Sequence, residues 1–307
     1  MKIVSLLPSA TEIICSLGLA DQLVGVTHEC DYPAAVIGLP QVTRSIIPKD
    51  SSSGEIDALV REHLQTENAL YSLNMEILEQ LQPDIIVTQA LCDVCAVAER
   101  DVLCAASELS SKPVVINLEP MTLQDVLDTL LLVGKKTGRD VEAKQLLTDL
   151  TSRISAVEQR TASHITDAER PKVAFLEWID PPFNAGHWSP HLIELAGGID
   201  CIGNKHQPSK TTAWEKIIAS QPEVLFIALC GFDVARTLQD IDILKGYTGW
   251  QDLPCVKNNR VYVTNGNFYF NRPGPRLVDS LEIIANCLHP HIHALPNGLP
   301  AAICIDC

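Results

Sequence analysis

The chain has 307 residues, 46% of them hydrophobic and 20% charged, with a formal net charge of −15. That is ample for a buried core and longer than the commonest single-core domain, so two lobes are expected. The acidity repels phosphate backbones and argues against nucleic acid as a partner. With no run of about 18 apolar residues, nothing in it spans a membrane.

Met1, Lys2 and the apolar residues that follow have the look of a secretory signal, but Pro8, Ser9, Thr11 and Glu12 interrupt the run too early. Ser9-Ala10-Thr11-Glu12 reads instead as a capping box opening a helix. As written, the chain starts with folded domain, which predicts a cytosolic protein, or a periplasmic one if an upstream signal is missing. The eleven cysteines are odd in number and irregularly spaced, unlike a secreted disulfide framework. Most read as buried thiols of a reducing compartment, with Cys15, Cys104 and Cys287 in helical patterns.

In chain order, residues 2–6 predict a strand, 9–17 a helix stopped by Gly18, and 23–26 the next strand. Helices follow at 55–65 and 74–81, the second closed by Pro83; 84–88 is a continuous apolar run, as in a strand buried on both faces. Residues 95–109 predict a helix and 114–118 a strand. Such βα alternation gives a mostly parallel sheet with helices on both sides. From 123 to 163 the strand pattern stops. One helix ends near Gly138, and Asp140 caps a second with Leu146, Leu147, Leu150, Ile154 and Val157 on one stripe. The second, about 24 residues long, would span roughly 36 Å, enough to join two lobes with limited hinge freedom. Beyond Pro171, strands are predicted at 172–178, 224–229 and 261–264, and helices at 190–196, 213–220, 234–244 and 276–287. The expected organisation is an α/β lobe at 1–121, a helical connector at 122–170, a second α/β lobe at 171–290 and an irregular tail at 291–307.

An internal echo supports two lobes. Glu76, six residues, Pro83 and Asp84 lead into Ile85-Ile86-Val87; Glu215, six residues, Pro222 and Glu223 lead into Val224-Leu225-Phe226. The helix ending at Gly18 is followed by Asp21 and Gly25, that ending at Gly197 by Asp200 and Gly203. Duplication explains both echoes; a generic helix–Pro–strand turn is the alternative.

Several segments carry a resemblance: residues 3–12 (IVSLLPSATE), 74–87, Ala185-Gly186-His187-Trp188 and Asn271-Arg272-Pro273-Gly274-Pro275-Arg276. In this order, along nearly the whole chain, they resemble the cobalamin and iron-siderophore substrate-binding proteins of ABC transporters, the cobalamin branch above all. The resemblance implies two Rossmann-like α/β lobes with parallel sheets joined by a single long helix, the class III periplasmic-binding-protein architecture, and a corrinoid or related metal chelate held in the interlobe cleft. No cofactor is required beyond that ligand. It implies an ABC transporter permease as partner, docked through one acid on each lobe, at the positions of Glu76 and Glu215. Both acids also suit the first turn of a helix on dipole grounds alone. The absence of an export signal departs from the family.

The loops after the second strand and after the strand at 84–88 face the ligand side of an open α/β sheet. They carry His28, Cys30 and Tyr32, and Cys92 and Cys95. His28, Cys30, Cys92 and Cys95 are donors suited to zinc, and a CxxC pair also suits redox chemistry; structural thiols are the alternative. A histidine can also ligate a corrinoid cobalt. The second half offers Trp178, Trp188, Trp214, Phe232, Phe268 and Arg272 near strand ends. Flat rings supply rigid apolar area to a planar ligand and Arg272 pairs with an anionic edge, against core packing as the alternative for each ring. Trp188, Phe232, Phe268 and Arg272, with Tyr32, are the candidate ligand contacts. No phosphate loop, GxGxxG, HExxH or GxSxG motif occurs. The expected function is therefore substrate binding. The alternative is a cytosolic metal- or thiol-dependent enzyme using the His28, Cys30, Cys92 and Cys95 set, since a fold alone does not fix function.

Overall fold

A computed structural model describes residues 1–47, 51–66, 71–89 and 97–306. The described chain divides into two compact units, Met1–Pro120 with Gln124–Thr148, and Met121–Leu123 with Asp149–Cys307.

The first unit runs β1 (Ile3–Ser5), α1 (Pro8–Ser16), β2 (Leu23–Gly25), β3 (Thr43–Ser45), α2 (Ser53–Thr66), β4 (Tyr71–Leu73), α3 (Met75–Leu81), β5 (Ile85–Gln89), α4 (Glu99–Glu108), β6 (Val114–Leu118) and α5 (Leu123–Thr137). Its main sheet has the order β2-β1-β5-β6, all parallel. β5 is buried along its whole length, the apolar Ile85-Ile86-Val87 followed by the buried polar Thr88 and Gln89. Val4, Leu78, Ile86 and Val102 meet in the core, and each such side chain contributes about 1.5–3 kcal/mol by leaving water. Helix α6 (Asp140–His164) is a single unbroken 25-residue element that contributes residues to both units.

The second unit runs β7 (Lys172–Trp178), β8 (Phe183–Asn184), β9 (Gly186–His187), α7 (Ser189–Leu195), β10 (Ile199–Asp200), β11 (Asn204–Lys205), α8 (Trp214–Ser220), β12 (Val224–Ile227), α9 (Val234–Gln239), α10 (Ile241–Lys245), α11 (Pro254–Lys257), β13 (Val261–Val263), α12 (Leu277–Leu288) and β14 (Ile303–Cys304). Its sheet has the order β10-β7-β12-β13-β14, with β8 paired off this path to β7; the strands run parallel except for β14, antiparallel to β13 at the edge, and β8, antiparallel to β7. The first four strands repeat the order of the first unit.

The sequence echo has a structural counterpart. α3 and α8 both end on a left-handed glutamine, Gln82 (φ 49°, ψ 62°) and Gln221 (φ 49°, ψ 60°). A buried proline and an acid then lead into β5 and β12, the strands that pair with β1 and β7.

Four expectations are corrected. Ser9 does not cap α1: the cap is Leu7, without a side-chain bond, and Pro8 opens the helix, its fixed φ suited to the first turn. The single helix expected at 234–244 is two, α9 and α10, meeting at Asp240, which closes one and opens the other. The pair β3–β4 and the two-residue strands are additional, being too short to show a period. Cys104 is exposed, as are Cys230 and Cys304, so burial is not the general state of the cysteines among the described residues.

Candidate functional site

In the first unit the chain leaves β2 through a tight turn. Thr27 is buried; its hydroxyl accepts from the Glu29 backbone N–H (3.1 Å), and its carbonyl accepts from that of Cys30 (3.2 Å). This turn presents His28 and Glu29 to a shallow recess that Leu6, Thr43, Tyr71 and Val97 also line. The His28 ring is fixed twice: Nδ1 lies 2.8 Å from the Thr43 hydroxyl, and the ring packs on Tyr71 with centroids 5.5 Å apart. Tyr71 in turn donates to Glu29 Oε1 (3.2 Å), which lies 3.9 Å from His28 Nε2. Tyr32 is 43% exposed on the same loop. Tyr71 and Thr43 carry no sequence signal of a site, because β3 and β4 bring them here from distant positions.

In the second unit the carboxyl ends of β7, β12 and β13, three adjacent strands, carry aromatic residues. Trp178 and Phe232 pack with centroids 5.1 Å apart, and the Arg236 guanidinium lies 4.2 Å from the centre of the Phe232 ring. The Asn267 N–H donates to the Phe232 carbonyl (3.1 Å), joining the loops after β12 and β13. After β13 comes one wide helical turn (Gly266–Phe270), opened by Asn265, whose side chain accepts from Phe268 N–H. Gly266 is required there, since a Cβ would strike the Leu229 carbonyl. Above Phe268 lie two cations, Arg272 at 5.6 Å and Arg276 at 5.1 Å from the ring centre, a geometry in which ring and guanidinium attract. Both guanidiniums are largely buried, and Arg272 Nη2 donates to Asn267 Oδ1 (2.9 Å).

Trp188 is a correction. It is only 5% exposed and its indole N–H donates to the Phe270 carbonyl (2.9 Å), so it braces the wide turn from inside. Phe232 is also largely buried; Trp178 and Phe268 are the half-exposed members.

Glu177, beside Trp178 on β7, went unread in the sequence, although an acid in the run Val173-Ala174-Phe175-Leu176-Glu177 is itself a signal. It is buried, and its Oε1 accepts from the Gly186 N–H (3.1 Å). Burial pushes its carboxyl up to about 7, opposed by bonds from Gly186 and from the Ser209 and Ser189 hydroxyls. It thus fastens residues 186–189 to the sheet. His187 follows at φ 51°, its ring held below the ordinary histidine range by burial.

Residues 3–267 of the sequence match the family described as periplasmic binding protein. The chain belongs to this family. It is 23% identical over 293 residues to a vitamin B12-binding protein of Vibrio cholerae, covering 94% of this chain and 88% of that one. An uncharacterized ABC transporter substrate-binding lipoprotein of Bacillus subtilis is 24% identical over 295 residues, covering 94% and 80%. The fold is shared with a periplasmic heme-binding protein from Pseudomonas aeruginosa, with a TM-score of 0.74 at 18% identity over 98% of this chain and 97% of that one.

Periplasmic binding proteins are binders, so the enzyme alternative draws no support from the family, and neither does the cytosolic expectation. Among the described residues no group of three or more His, Cys, Asp and Glu side chains could hold a metal ion. His28 and Cys30 are held by hydroxyls, Cys30 Sγ lying 3.1 Å from Thr11 Oγ1 and 3.3 Å from Thr27 Oγ1. Cys92 and Cys95 lie outside the described residues. Neither the described residues nor the names of the relatives support zinc. Glu76 and Glu215 are both exposed in the first turns of α3 and α8. No helix of the described residues is long and apolar enough to cross a membrane.

Proposed function

We propose that this protein captures a corrinoid or a related metal tetrapyrrole outside the cytoplasm and presents it to an ABC transporter. The observation that carries the reading is the aromatic and cationic group at adjacent strand ends of the second unit. Trp178 and Phe268 offer flat apolar area to a macrocycle face. Arg272 and Arg276, largely buried beside the Phe268 ring, bring positive charge toward carboxylate or phosphate groups at the macrocycle rim. The names of the relatives support the same ligand class, vitamin B12 for one and heme for another. A lipoprotein among them supports a location outside the cytoplasm.

His28 is the second candidate contact. A histidine that ligates a metal is typically oriented through its other nitrogen, and the Thr43 hydroxyl at Nδ1 does that here. Tyr32, exposed on the same loop, is a third. Glu76 and Glu215 are the proposed transporter contacts, their shared place in the repeat supporting equivalent roles.

Equilibrium dialysis against cyanocobalamin and, separately, hemin tests the reading. The wild type retains one of them, and Phe268→Ala weakens retention about tenfold or more, as loss of a central aromatic contact does. Retention of neither by folded wild-type protein rejects the ligand class.

A further inference from the structure

We propose that Cys15 and Cys30 form a redox site: an intramolecular disulfide that ties the loop carrying His28 and Glu29 to helix α1. This goes beyond ligand capture; its geometry lies in the first unit alone, and its oxidant rests on the proposed location outside the cytoplasm.

The chain path brings the two sulfurs to one place. β1 leads directly into α1, and Thr11, buried in its second turn, donates its hydroxyl to Ser5 Oγ (2.8 Å), fixing that helix face over the strand end. The turn after β2 brings Cys30 back against the same face, with Sγ 3.1 Å from Thr11 Oγ1. Cys15 lies four residues beyond Thr11 on α1, and residues so spaced share a helix face with Cβ atoms roughly 5–6 Å apart. Cys30 therefore lies over the face from which Cys15 projects, both side chains half-buried. The electrostatics of Cys15 are consistent with this placement. Burial pushes the Cys15 thiol up to about 11, and Cys30 is the next largest contributor, ahead of Glu12. Forming the bond requires both side chains to rotate into the narrow geometry of a disulfide.

The oxidant is a low-molecular-weight disulfide such as oxidised glutathione. The Cys30 thiolate attacks one of its sulfurs and expels a glutathione thiolate. The Cys15 thiolate, a minor species at neutral pH because burial pushes that thiol up, then attacks the Cys30 sulfur of the mixed disulfide and expels the second glutathione. One S–S bond breaks and one forms, the protein loses two electrons, the oxidant gains them, and both thiol protons pass through water to the two departing thiolates. An oxidising compartment outside the cytoplasm supplies such oxidants. Once closed, the bond holds the His28 turn to α1 through Cys30, in addition to its hold on β3 through Thr43.

The test is peptide mapping of the full chain after incubation with oxidised glutathione and quenching with iodoacetamide. The expected result is a linked peptide pair containing Cys15 and Cys30, both protected from alkylation and both released by reduction. In Cys30→Ser protein, Cys15 becomes alkylated again. Alkylation of both residues after oxidation of protein that circular dichroism shows to be folded overturns the proposal. So does a bond from Cys30 to Cys92 or Cys95. Mapping needs no bound tetrapyrrole, so failure of the ligand reading leaves this outcome readable.

Discussion

Asp84 and Glu223 make the same pair of bonds, one in each unit. The Asp84 N–H donates to the Lys2 carbonyl (2.9 Å), and the Asp84 carboxylate accepts from the Lys2 N–H (2.7 Å). The Glu223 N–H donates to the Lys172 carbonyl (2.8 Å), and its carboxylate accepts from the Lys172 N–H (2.9 Å). In both cases the acid just ahead of one central strand fixes the start of its neighbour, β5 against β1 and β12 against β7. Asp84→Ala and Glu223→Ala each lower stability by about 0.5–1.5 kcal/mol, the worth of one such bond at an exposed site. Urea unfolding reads the loss as a lower midpoint with an unchanged slope.

Glu177 predicts a pH dependence. Its carboxyl is held up to about 7 in the folded chain, above the ordinary carboxylate value of 4.5. A raised acid favours the folded state while protonated, so its contribution is complete below pH 4.5 and is lost as pH rises through about 7. Glu177→Gln keeps an oxygen for the Gly186 N–H and has no charge to bury. Its stability relative to wild type therefore rises across that window, by a few kcal/mol at pH 8. Chemical denaturation at a series of pH values checks this; parallel curves for the two proteins contradict it.

Arg153 fastens the second half of α6 to α12. Its Nη2 lies 2.5 Å from Asp279 Oδ1 and 2.6 Å from Glu282 Oε2, and its Nε donates to Glu282 Oε1 (3.1 Å). Arg153→Ala leaves two neighbouring, poorly exposed carboxylates facing each other. With 38% of the arginine side chain exposed, solvent screening limits the cost to about 1–2 kcal/mol. Arg153→Lys recovers only part, because a single ammonium cannot make the forked contact. Thermal melts of the three proteins order them wild type, lysine, alanine.

The sequence made the architecture legible where the pattern was long. The apolar run into β5, the unbroken helix α6 and the Pro83/Pro222 echo all have structural counterparts, because burial on both faces and helical period are written locally. What stayed hidden depends on partners far along the chain. Trp188 read as a loop aromatic beside a glycine, yet the Phe270 carbonyl draws its indole inward. The His28 pocket takes Thr43 and Tyr71 from three-residue strands with no period to detect. Ser9 and Glu12 fit a capping box by spacing, but Pro8 begins the helix one residue earlier and removes the serine from the cap. Glu177 was visible as an acid in an apolar strand, though not its tie to Gly186.

Phe268 lies beneath two guanidiniums, on the face proposed to meet a tetrapyrrole. Calorimetric titration of the purified full chain with cyanocobalamin, with the corrin absorption bands followed in parallel, tests that contact most directly. The expected result is saturable heat at one ligand per chain, with affinity of about 10 µM or tighter, and loss of most of that affinity in Phe268→Ala. Absence of both heat and spectral change at saturating cobalamin, with the protein shown to be folded, contradicts the corrinoid assignment.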